Sequence, residues 1–235
     1  MIAIFKREMR SYFTGVIGYV FLVLFLAIAG VVFAYTTLFS MSAEVTPFYT
    51  VMLLFSAIAL PILTMKSFSE ERKMKTEQLL LTSPVSIPGM VIGKFLAAFA
   101  MFAAALIFSS LYFLFLIPYA PIKAALLIGN VLALLLVGMT FISIGLFVSS
   151  LTENQLSAAV GTIAIIIGFL GIGILSSLFP ANYWFRFVLE SLSILQRFQN
   201  LTAGFFELSS FVYYISITAV FLYLTVRTYD RRRYN

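Results

Sequence analysis

All 24 charged residues of this chain fall outside six uninterrupted apolar stretches, at residues 16–39, 45–65, 95–117, 124–148, 156–179 and 208–226. Each stretch is 19 to 25 residues long. At about 1.5 Å rise per residue a helix of that length covers a hydrocarbon core of about 30 Å. Barrel strands are excluded, because they alternate lumen and lipid faces over about ten residues, whereas these runs are apolar on every side. Composition agrees: 62% of residues are apolar and 10% charged, against about 25% charged in a soluble domain. The fold class is therefore all-α, a membrane protein with six transmembrane helices in a single domain over residues 1–235.

The charges outside the spans are unevenly placed. With the N-terminus inside, the inner segments hold 12 of the Lys and Arg residues and the outer segments only three, Lys123, Arg186 and Arg197. By the positive-inside rule both termini face the cytoplasm. The net charge of +6 then reflects topology and anionic inner-leaflet lipid, and nucleic acid is not a partner. The first apolar run has 24 residues, longer than the 7–15 of a signal-peptide core, and reads as a retained span.

Three segments outside the spans carry pattern. In residues 1–14, Ile2, Phe5, Met9, Tyr12 and Phe13 lie near one helical stripe, with Lys6, Arg7, Arg10 and Ser11 largely opposite. That suits a helix in the membrane interface; a basic tail that only sets topology is the simpler alternative. Residues 66–94 form the longest inner connection and the most charged one. Ser67 and Glu70 have capping-box spacing, Ser83-Pro84 marks a turn, and Ser86-Ile87-Pro88 marks a helix start. Such a loop either fixes topology or docks a cytoplasmic partner. The outer segment 180–207 places Phe185, Val188, Leu189, Leu192 and Leu195 at helical spacing, with Arg186, Glu190, Ser193 and Arg197 on another face and Trp184 at its start. It predicts short outer helices that cap the bundle, with Trp184, Arg186, Glu190 and Arg197 forming either an outer gate or a passive plug. Ala97, Ala100 and Ala104, and Gly161, Gly168 and Gly171, offer close-packing faces.

What the chain lacks narrows its chemistry. It contains no Cys and no His, which removes thiolate and imidazole metal sites and Cys or Ser-His nucleophiles; no metal site is predicted. Its only Asp is Asp230, and the predicted spans hold no ionisable residue, so proton relays and aspartyl chemistry lack their groups. Lys66 and Lys94 are placed at the cytoplasmic border, where they can snorkel. Gly89 to Lys94 resembles a phosphate loop, but only three residues separate the glycines and Phe95 follows the lysine, which breaks the motif. The chain is read as a non-enzyme that draws energy from another subunit. Tyr35, Asn130, Thr140 and Ser143 are the polar candidates for a substrate path, although Ser and Thr often satisfy helix backbones instead.

Phe5-Lys6-Arg7-Glu8 with Ser11-Tyr12-Phe13, then Glu70-Glu71-Arg72, Thr76, Leu79-Leu80-Leu81-Thr82, Pro84 and Gly93-Lys94-Phe95, and finally Gly204, Tyr213, Thr225 and Arg231-Arg232-Arg233, form a pattern over the whole length. The sequence resembles the integral membrane permease of bacterial ABC exporters of the second type, closest to the gliding-motility and nitrous-oxide-cluster subgroup. Lys75 and Gln78 stand where that group commonly has Gly and Glu, and Thr14-Gly15 where it has Ser-Pro. The resemblance implies an elbow helix at Phe5, Lys6, Arg7, Glu8, Tyr12 and Phe13. It also implies a cytoplasmic coupling helix seated on an ATPase through Phe68, Glu70, Glu71, Arg72, Lys73, Thr76 and Gln78. It implies a bacterial inner-membrane protein working with ABC ATPase subunits, a second permease copy or homologue, membrane lipid and an accessory membrane protein. No cofactor belongs to this chain; ATP and Mg are bound by the partner. The rival readings are a membrane anchor or scaffold that moves nothing and a passive or ion-coupled carrier.

Overall fold

The computed structural model of the chain describes residues 1–75, 86–116, 118–119, 124–178, 190–203 and 208–234. Among these the regular structure is helical: α1 (Ile2–Thr14), α2 (Val16–Phe33), α3 (Thr46–Thr64), α4 (Lys66–Lys73), α5 (Ile87–Ser110), α6 (Ala124–Leu151), α7 (Gln155–Leu178), α8 (Ile194–Thr202) and α9 (Leu208–Tyr234). A π-helical turn, Ala34–Phe39, continues α2, and a 3-10 turn, Leu111–Leu116, continues α5. Six helices are long and apolar enough to cross a membrane. Three overrun the predicted spans by several residues, α5 beginning at Ile87, α6 running on to Leu151 and α9 to Tyr234. The added residues include good helix formers such as Lys and Arg, and a helix satisfies its own backbone on either side of the bilayer edge.

α6 is the axis of the bundle, packed against α3, α4, α5, α7, α8 and α9. Of its most apolar window 72% is buried, against 22% for the windows of α2, α7 and α9, which leaves those three to face lipid or another protein. Gly138 and Gly145 make the axis possible. A Cβ on Gly138 would overlap the ring of Phe102 on α5, and one on Gly145 would overlap Thr64 of α3. The close-packing glycines read from the sequence behave differently, since Gly168 and Gly171 on α7 face open space and only Gly161 approaches a neighbour, Val148. Small residues in an apolar helix signal a packing face, but the pattern carries no information on which face is used.

The end of the bundle opposite α1 is closed by aromatic rings. Phe113, 1% exposed, is delivered by the 3-10 turn after α5 and meets Phe33 and Phe48 edge-on at 5.2 Å and Tyr49 stacked at 6.0 Å. Edge-to-face pairs of this kind add about 1 kcal/mol each beyond the area they bury. Tyr49 keeps its hydroxyl partnered with Ser110 Oγ at 2.8 Å.

The outer segment departs from the predicted stripe. Ser193 leaves the helical region, at φ −74° and ψ 117°, and its hydroxyl accepts the Gln196 amide, so α8 starts afresh at Ile194. The buried residues are consequently Ile194, Phe198 and Leu201, while Leu192 is exposed. A stripe extrapolated through Ser193 loses register because the cap interrupts the 3.6-residue period.

A charged hub as the candidate functional site

Four charges from three helices close a ring at the α1 end of the bundle. Arg7 Nη2 lies 2.7 Å from Glu8 Oε1 and 2.8 Å from Glu71 Oε1, and Lys94 Nζ lies 3.1 Å and 2.9 Å from the same two oxygens. The Lys94 ammonium also donates to Ser67 O at 2.5 Å. Its three donors therefore have three acceptors, which is what a buried ammonium requires. The ring of Phe68 lies 4.8 Å from Nζ and adds a cation–π contact. Lys94 thus does not snorkel to the border. It is 2% exposed, inside a membrane-crossing helix, because Glu8 and Glu71 reach it from elements distant in the chain.

α1 meets the bundle through Ile4, Glu8 and Tyr12. Ile4 is buried against Gly93, where a Cβ would come within 3.1 Å of the isoleucine. Glu8 and Tyr12 follow at steps of four, one helical turn each. Ile2 and Phe13 stay exposed, as an interfacial helix needs. Tyr12 has its hydroxyl pKa pushed above the usual value by burial and then by the Glu8 charge, with its Ser67 hydrogen bond acting the other way.

α4 is fastened on every side. It continues α3 past Pro61 and Met65 without a cap of its own, and the Ser67–Glu70 capping box does not form. Instead Ser149 of α6 accepts the Phe68 and Ser69 amides, each at 3.1 Å, and donates to Met65 O at 3.0 Å. A hydroxyl from another helix does the work of an N-cap, because the chain bends at Met65 and frees those amides. Phe68 is fully buried, its ring 4.9 Å from that of Tyr229 on α9. Arg72 binds Glu153 at 3.0 Å and Leu151 O at 2.7 Å in the α6–α7 turn. Arg232 of α9 donates to Ser150 O at 2.7 Å and covers the Tyr229 ring. One eight-residue helix is thereby tied to α1, α5, α6, α9 and the start of α7.

Of the residues that the resemblance seats on the ATPase, Phe68 is fully buried, Glu71 joins the ion-pair ring, and Arg72, its side chain 29% exposed, binds Glu153 and Leu151 O. Lys73, Met74 and Lys75 are exposed at the tip of α4, Lys75 with a positive φ of 56°, and Glu70 is half-buried. Thr76 and Gln78 lie outside the described residues. In α1, Lys6 is exposed and Phe5 half-buried.

The other predicted sites separate. Trp184 and Arg186 lie outside the described residues, as does the Ser83-Pro84 turn. Arg197 fastens α8 to α9, donating to Ser209 Oγ at 2.9 Å and to Ser191 O at 3.4 Å, with its guanidinium 5.2 Å from the Tyr213 ring. Glu190 begins the turn that Ser193 closes, its carbonyl accepting the Ser193 amide at 3.2 Å. The four substrate-path candidates do not share a cavity. Tyr35 is 74% exposed on the π-helical turn after α2, while Asn130, Thr140 and Ser143 are buried and bond to carbonyls of their own helix, Thr140 also reaching Thr218 on α9. Hydroxyls that bond in this way satisfy the carbonyls of their own helix.

The fold defines a multi-pass integral membrane protein whose charges are organised around one short helix outside the apolar core. The family model described as ABC-2 family transporter protein matches residues 2–233. The chain belongs to that family and is a permease subunit of an ABC transporter, the membrane component that partners an ABC ATPase subunit. A search among curated proteins finds no match.

Proposed function

We propose that this permease works as a dimer in an exporter of the bacterial inner membrane, within the gliding-motility and nitrous-oxide-cluster subgroup, with both termini cytoplasmic. ATP and Mg are bound by the separate ATPase, which seats on the exposed tip of α4 and the chain that follows it. The observation that carries this reading is the attachment of α4 to four other helices and the α6–α7 turn through Ser149, Lys94, Arg7, Tyr229 and Glu153. A push on such a handle is delivered to the whole bundle at once, as a rigid-body transition between two packings requires. The accessory membrane protein and the cargo belong to the same proposal.

Docking and transmission are separable by mutation. Lys73→Glu with Met74→Glu alters only exposed tip residues, and stimulation of a co-purified ATPase should be lost while the permease inserts and folds normally. Unchanged stimulation overturns the docking assignment. Alanine at Glu71 or Arg72 removes internal contacts instead, and reports on transmission.

A further inference from the structure

Beside the ion-pair ring, a cavity of about 300 Å³ opens among α1, α3, α4 and α5. Its lining carries three cations, Arg7, Lys66 and Lys94, and three carboxylates, Glu8, Glu70 and Glu71. Four of these neutralise one another in the ring. Lys66 and Glu70, one turn apart on α4, enter no ion pair among the described residues. A groove of about 250 Å³ lies between α2 and α3 and is walled by hydrocarbon, with Val20, Leu24 and Ile28 on one side, Phe55 and Ile62 on the other, and the small, nearly buried Ala59 among them. Ile17 and Leu63 line both the cavity and the groove, so the two adjoin at these side chains.

We propose that the cavity and the adjoining groove together hold one zwitterionic phospholipid, its head group in the cavity and one acyl chain in the groove. From Ile17 to Ile28 the groove follows α2 for about 16 Å, roughly half of a 30 Å hydrocarbon core and so the depth of one leaflet. An occupant that is charged at one end and apolar along one leaflet is a membrane lipid. The head group follows from the charge balance. Lys66 faces the phosphate and Glu70 the ammonium, which leaves the cavity neutral, as it is without ligand. A primary ammonium, as in phosphatidylethanolamine, also supplies hydrogen-bond donors to the carboxylate. An anionic head group would leave Glu70 unmatched and place a net negative charge beside three carboxylates.

The site goes beyond the transport reading, since it needs only that the six helices lie in a bilayer. The test is native mass spectrometry of the delipidated full-length chain titrated with palmitoyl-oleoyl phosphatidylethanolamine or phosphatidylglycerol. One phosphatidylethanolamine should bind per chain, with phosphatidylglycerol about tenfold weaker, the equivalent of one charge-assisted hydrogen bond. Ala59→Phe fills the groove, and Lys66→Gln with Glu70→Gln removes the head-group partners; each should weaken binding by about tenfold. The second variant lies outside the ring and keeps the test open if the first does not fold. Equal binding of the two lipids overturns the proposal, as does binding unchanged in the glutamine variant. A lipid-free dimer, in which a second copy covers the groove, also overturns it. None of these outcomes bears on ATPase stimulation, so failure here leaves the transport reading standing.

Discussion

Lys94 Nζ lies 2.9 Å from Glu71 Oε1, and the lysine side chain is 1% exposed. The two residues sit on either side of the most charged loop of the chain, and their contact holds the start of α5 against α4. With Glu8 and Arg7 completing the ring, α1 is locked to the same point. The ring carries no net charge, which is the condition under which buried ions are tolerated.

Removing one member should therefore cost more than a surface ion pair would. Lys94→Met leaves two carboxylates sharing one guanidinium, and stability should fall by about 3 kcal/mol, the scale for breaking a buried pair. The exchange Lys94→Glu with Glu71→Lys should recover part of that loss. Thermal unfolding in detergent of the two single variants and the double variant measures the coupling.

Ser149 gives a second prediction. Ser149→Ala strips the shared acceptor from the Phe68 and Ser69 amides, and loss of a cap costs about 1 kcal/mol. Hydrogen exchange at those two amides should quicken by about five-fold to tenfold, with α5 and α6 unchanged. Protection that stays at the wild-type level would mean that α4 caps itself.

The glycines of α6 and α7 should separate sharply. Gly138→Val collides with Phe102 and Gly145→Val with Thr64, and each should fail to give a monodisperse bundle on size exclusion. Gly168→Ala enters open space and should change monomer stability by no more than about 0.5 kcal/mol.

Orientation is open to direct chemistry because the chain has no cysteine of its own. Ala43→Cys and Lys73→Cys lie in exposed positions at the α2–α3 turn and at the tip of α4. In intact cells a membrane-impermeant maleimide should label position 43 only. Labelling of position 73 from outside would invert the topology.

Much of the fold was legible before any coordinates. Apolar runs of spanning length fix six helices because an unpaired backbone is intolerable in hydrocarbon, and Ser86 with Pro88 marked the start of α5 to the residue. The hub was legible only in part. Lys94 was placed at the cytoplasmic border, and Glu8 and Glu71 were named through the resemblance as elbow and coupling residues, yet separation along the chain hid their meeting. Phe68 was named only as a coupling-helix residue implied by the resemblance, and its burial under Tyr229 is what shows that it anchors α4. Ser149 gave no signal, because a serine in a short turn is unremarkable until two amides from another helix point at it.

The sequence alone determined that the chain lives in a membrane, how many times it crosses and that its family is that of ABC permeases, since periodicity, hydropathy and motif order are local or one-dimensional properties. The tertiary structure decided which charges are shielded and which glycines bear close contacts. It also decided which face of α1 meets the bundle. Those outcomes depend on what stands across a helix interface, and in a uniformly apolar helix every face looks alike until its neighbours are in place.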